Sequence, residues 1–141
     1  MRRIIIGIGN PGRTDDAIGL VVAERLKEKF DGMITTHALM PEDLARMRGY
    51  DEVVIVDGAT DIPEGEVRKV SVDDLPGSRT TSHFIELRSL FTLGGKIYKD
   101  FPKRFVVLGI GIRDVGFGGV ISKVLEDKIP EICEDILALL S

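Results

Sequence analysis

Ile4-Ile5-Ile6-Gly7-Ile8-Gly9-Asn10-Pro11-Gly12-Arg13-Thr14-Asp15-Asp16-Ala17-Ile18-Gly19 is the stretch whose reading decides the fold. From Ile4 to Ile8 the chain is continuously apolar and broken only by glycine, the pattern of a strand buried on both faces of a parallel sheet. A Gly-rich turn follows. Ile18, Val21, Val22, Leu26 and Phe30 then recur at spacings of three and four, which predicts an amphipathic helix from about Thr14 to Phe30. Thr14 suits the N-cap, and Asp15 and Asp16 suit the positive end of the helix dipole.

The same alternation continues outward from this unit. Met33 to Leu39 reads as a weaker strand, and Pro41-Glu42-Asp43-Leu44 opens a short helix with proline at its first position. Glu52 to Val56 is a strongly apolar strand that ends on Asp57. In Glu66 to Val72 the valines at 67, 70 and 72 are interleaved with polar residues, as at a sheet edge. Ser82 to Leu93 is helical, with Gly94-Gly95 read as its stop. Arg104 to Ile112 is the last strand. From Val120 to Leu140 the pattern is helical, with Pro130 expected to restart a helix rather than lie within one. Strands alternating with helices imply an α/β sandwich with helices on both faces, and the stretches between them are loops rather than linkers.

Composition narrows the function. A chain of 141 residues is expected to form one domain, 1–141, with a single core. Its 23 acidic and 19 basic residues leave a net charge of −4, which speaks against a nucleic-acid partner. One cysteine, Cys133, allows no internal disulfide and fits a reducing cytoplasm; its neighbours Ile132, Ile136 and Leu137 make it a core residue. The apolar run after Met1-Arg2-Arg3 is too short for a signal core or a membrane span, so a cytoplasmic protein without a membrane partner is expected.

Three residues then stand out. In an open doubly wound sheet, ligands bind beyond the carboxyl ends of the strands, where strand order reverses. Asp16 follows the first strand and Asp57 ends the third, and in such folds those strands are neighbours. His83 opens a later helix, where the dipole disfavours the imidazolium and leaves a neutral ring able to act as ligand. Two carboxylates and an imidazole suit a divalent transition ion. Each has a structural alternative: Asp15 and Asp16 as helix-end acids, Asp57 as a loop cap, His83 as a capping histidine. A carboxylate closing a wholly apolar strand leans toward function. His37 has no comparable company and reads as structural.

Other motifs fail on inspection. Gly7-Ile8-Gly9-Asn10-Pro11-Gly12 matches the dinucleotide pattern G-x-G-x-x-G. The acidic residue required at the end of the second strand is missing, and Asp15-Asp16 would repel a pyrophosphate. The chain has no H-E-x-x-H, no G-x-S-x-G and no lysine-terminated phosphate loop.

Taken together, several segments resemble the hydrogenase maturation endopeptidases, which process the large subunit of nickel-iron hydrogenases. They are Gly7-Ile8-Gly9-Asn10 with Asp15-Asp16-Ala17-Ile18-Gly19, Pro41-Glu42, and Ile55-Val56-Asp57-Gly58-Ala59-Thr60-Asp61 with Pro63, Gly65 and Glu66. Thr80-Thr81-Ser82-His83 follows, and then Leu108-Gly109-Ile110 with Asp114-Val115-Gly116-Phe117. The likeness runs from about residue 4 to 137, and its specificity lies in the order and spacing of the segments. It implies a three-layer α/β/α sandwich of the phosphorylase/hydrolase-like type. The expected sheet is five-stranded, mixed and mostly parallel, in order 2-1-3-5-4 with strand 4 antiparallel.

The resemblance also puts the family's three metal-binding positions on Asp16, Asp57 and His83, the first of which is Glu or Asp among relatives. It implies a peptidase that recognises nickel already inserted in the large-subunit precursor and removes a short C-terminal extension. The nickel comes with that substrate, and a monomer is expected. Asp15, Asn10, Thr81 and Ser82 are candidates for orienting ligands or substrate. One departure lies at His37-Ala38-Leu39-Met40, where relatives carry a Gly-Gly pair before Pro-Glu that would loosen the loop. Two alternatives have different chemistry. Peptidyl-tRNA hydrolase shares Gly9-Asn10-Pro11-Gly12, but it uses a histidine soon after the turn and needs a basic surface. A non-catalytic, nickel-dependent chaperone of the precursor could use the same three ligands.

Overall fold

In the computed structural model, the described residues are 1–10, 15–70, 82–113 and 121–141, without the side chains of Asp16 and of residues 82–86. Strands β1 (Arg3–Ile8), β2 (Gly32–Thr36), β3 (Glu52–Ala59), β4 (Val67–Val70) and β5 (Arg104–Gly111) form one sheet in the order β2-β1-β3-β5-β4. All neighbours pair parallel except β4, which runs antiparallel to β5. Helices α1 (Ile18–Leu26), α2 (Ser82–Ile97) and α3 (Lys123–Leu140) surround it, with 3-10 turns at Asp15–Ala17, Lys27–Lys29 and Pro41–Met47. The sandwich expected from the sequence is the one found.

Strand position explains strand composition. β3 lies at the centre and is buried at every residue, because helices cover both faces and strands pair on both edges. The outer strand β4 is nowhere fully buried. Side-chain alternation then sorts the core into two layers. Ile4, Ile6, Ile8, Val53, Ile55 and Val107 face α2 and the Pro41–Met47 turn, through Leu87, Phe91, Leu44 and Met47. Ile5, Val54, Val56, Leu108 and Ile110 face α1 and α3.

Several element boundaries differ from the sequence reading. β2 starts and ends earlier, which leaves exposed His37 in the bend beyond it. β3 extends three residues past Val56 to Ala59, carrying Asp57 inside the pairing with β5. α2 runs through Gly94-Gly95 to Ile97 instead of stopping there. A Cβ at Gly94 would stand 2.3 Å from the Phe101 ring, so this glycine serves close packing rather than termination. α3 is one helix with Pro130 inside it. Its buried residues Leu125, Ile129, Ile132 and Ile136 hold both halves against the sheet, which offsets the lost backbone bond. The N-cap expected at Thr14 lies outside the described residues.

Candidate active site

Three elements bring their ends to the carboxyl edge of β1 and β3. The first is α1, which is set unusually close to the sheet. A Cβ on Gly19 would lie 2.3 Å from the Ile8 carbonyl oxygen and 2.6 Å from that of Val56. Gly7 meets the Gly19 carbonyl in the same way. Only glycine permits this approach, and it presses the Asp15–Ala17 turn, which contains Asp16, against β3. The close seat of the helix, not a phosphate, accounts for Gly7, the first glycine of the failed dinucleotide motif.

The second element is β3 itself. Asp57 is 1% exposed, and its Oδ1 accepts a hydrogen bond from the backbone N–H of Gly58 at 2.8 Å. Strand alternation sets it on the same side as Val53 and Ile55, the side that α2 covers. The third is α2. Phe91, in its second half, stacks on Phe105 near the start of β5, with ring centroids 4.1 Å apart. The helix therefore runs opposite to the parallel strands, and its first turn, with His83, lies toward their carboxyl ends. The backbone positions of Asp16, Asp57 and His83 thus come to one edge, on both sides of the point where the chain passes from β2 across to β3. Among the described residues no group of three metal-ligating side chains forms; of the three, only the Asp57 side chain is among them.

The remaining sequence candidates fall as follows. Asp15 is fully buried, and its Oδ1 accepts from the backbone N–H of Ser122 at 2.9 Å. Asn10 stands just past the end of β1. Thr81 and the Asp114–Phe117 motif lie outside the described residues, and Ser82 opens α2. Pro41 begins its 3-10 turn, which Asp43 closes by accepting the Met40 N–H at 2.9 Å.

Beyond the ends of β3 and β5 an open cleft of about 400 Å³ is lined by Thr60, Asp61, Ile62, Pro63, Ile112 and Arg113. Its wall is held by backbone bonds. Gly65 donates to the Gly111 carbonyl at 3.0 Å, Gly111 to Glu66 at 2.9 Å and Ile112 to Ala59 at 3.0 Å. Gly65 has φ +81°, which explains the glycine in the Pro63–Glu66 segment. Sequence reading named Thr60, Asp61 and Pro63 as part of a family motif but did not identify a cleft, because its two walls come from loops far apart in the chain.

The sheet order and the helices around it define a doubly wound α/β protein. Comparison with known proteins refines that class. The family model for hydrogenase maturation protease (HycI) matches residues 21–139, so the chain belongs to that family of peptide-bond hydrolases. The fold is similar to that of hydrogenase maturating endopeptidase HybD from E. coli, at 24% identity and TM-score 0.78 over 99% of this chain and 92% of that one. HybD from Thermococcus kodakarensis gives 22% identity and TM-score 0.79 over the whole of both chains. HycI from Thermococcus kodakarensis KOD1 gives 28% and 0.74 over 99% of this chain and 92% of that one. No curated protein sequence matched. The family removes the peptidyl-tRNA hydrolase alternative, and the enzymatic reading prevails over the chaperone.

Proposed function

We propose that this protein removes the C-terminal extension from the nickel-loaded precursor of a nickel-iron hydrogenase large subunit, in the cytoplasm. The observation that carries the reading is Asp57. A carboxylate sits buried near the carboxyl end of the central strand, which the turn containing Asp16 contacts. Ionisable groups held in buried positions near strand ends are characteristic of sites that bind or react.

In this reading Asp16, Asp57 and His83 grip the nickel that the precursor brings. Two carboxylates and an imidazole are a donor set suited to a borderline divalent ion. Held so, the substrate presents its scissile bond at the edge of the sheet. One of the carboxylates takes the proton from a water that attacks the carbonyl. The cleft beyond β3 and β5 is open enough to receive an extended tail.

The test is processing itself. Incubation with the nickel-loaded precursor from the same organism is expected to yield a large subunit lighter by the mass of a C-terminal peptide; unchanged mass sinks the proposal. Asp16→Asn and Asp57→Asn should each stop processing while leaving the circular-dichroism spectrum and melting cooperativity intact. Full cleavage by both variants would remove the site assignment. Nickel-free precursor is expected to stay uncut.

A further inference from the structure

Asp15 stands beside Asp16 in sequence but is engaged in a different task. Its buried carboxylate accepts the N–H of Ser122, the residue from which α3 begins, across 107 positions of chain. A helix leaves its first N–H groups without partners inside the helix. Within a capping box, an acid or amide at the third helical position reaches back to the N–H of the N-cap residue. In α3 that third position is Leu125, which is fully buried in the core and has no acceptor to offer. Ser122 makes no side-chain cap bond, and among the described residues its Oγ is buried without a hydrogen-bond partner. The acceptor therefore comes from another element. In return, the N-terminus of an 18-residue helix supplies the carboxylate with a donor and a positive dipole end.

The turn that carries Asp16 is thus held at two points. On one side, Gly19 sits against the carbonyl oxygens of Ile8 and Val56. On the other, Asp15 is bonded to the start of α3. We propose that Asp15 is a positioning residue, whose bond to Ser122 sets where Asp16 stands relative to Asp57. The inference rests on the reading of Asp16 as a site residue. It divides the aspartate pair into one carboxylate for the substrate and one for the fold.

Two measurements on the full chain test it: the hydrogen-exchange rate of the Ser122 amide, and kcat and KM for processing of the nickel-loaded precursor. Asp15→Ala should raise the Ser122 exchange rate and lower kcat about 10- to 100-fold with little change in KM. Asp15→Asn keeps an acceptor oxygen and should recover most of both. Glu52→Ala, at the opposite edge of the sheet, serves as a destabilised control with kcat retained. The tether is overturned if Asp15→Ala leaves Ser122 exchange unchanged, or lowers kcat no more than Glu52→Ala does. Full processing by Asp16→Asn overturns instead the site reading beneath it, and the Ser122 exchange rate tells that failure from a failure of the tether itself.

Discussion

Asp57 and Asp15 are both buried carboxylates, and each has a backbone N–H donor: Gly58 for one, Ser122 for the other. The first was conspicuous in the sequence, as a lone acid after an apolar run with a loop cap as its alternative reading. The partner of the second was not legible there. Two adjacent acids at a helix start satisfy the same dipole, and no local pattern says what Asp15 will bond to. The resemblance had set Asp16 apart as the metal-binding position, and the distant contact with α3 shows what Asp15 holds. Cys133 was expected in the core and is instead half-buried, packed against the α1 and α3 side of it. Burial pushes its thiol up, with Arg25 opposing. A folded pKa above the unfolded one favours the native state at low pH and loses that contribution as pH rises through the folded value. Melting profiles above about pH 8.5 should therefore decline more steeply for the parent protein than for Cys133→Ala. Parallel alkaline profiles would contradict this.

At the scale of elements, helix ends were the least legible feature. Gly94-Gly95 reads as a stop until Phe101 is known to pack against Gly94, and Pro130 reads as a break until α3 is seen held along its whole apolar side. The two glycines make a sharp pair of predictions. Gly94→Ala drives a methyl into the Phe101 ring and should cost about 1–3 kcal/mol. A Cβ at Gly95 meets nothing within 4 Å, so Gly95→Ala should stabilise the helix by about 0.5–1 kcal/mol. Urea titrations of both variants decide the matter, and equal shifts of the same sign would refute the packing argument. Gly19→Ala would move α1 off two strand ends, and is expected to lower processing as well as stability, because the Asp16 turn moves with the helix.

Across the whole molecule the two edges of the sheet have different work. The carboxyl edge gathers Asp16, Asp57 and the start of α2. At the amino edge Glu52, 5% exposed, pairs with Arg3 at 2.9 Å and more loosely with Arg104 at 3.7 Å. Arg3 also donates to the Leu140 carbonyl at 3.2 Å, which secures the end of α3. Glu52→Ala should cost about 1–3 kcal/mol through the lost charge-assisted bond to half-buried Arg3, and precursor processing at a temperature where the variant is folded should be unchanged. A loss of processing there would mean that the edges are coupled. No helix among the described residues is long and apolar enough to cross a membrane. The sequence by itself determined what depends on near neighbours: the alternation of strands and helices, the central and edge character of the strands, and the acids at element ends. Tertiary structure alone decided which distant element Asp15 bonds to, where helices pass through glycine and proline, and which loops face each other across the cleft. Those outcomes rest on contacts between residues far apart in the chain, and periodicity, which reports only which face of an element is apolar, carries no record of the partner that face will meet.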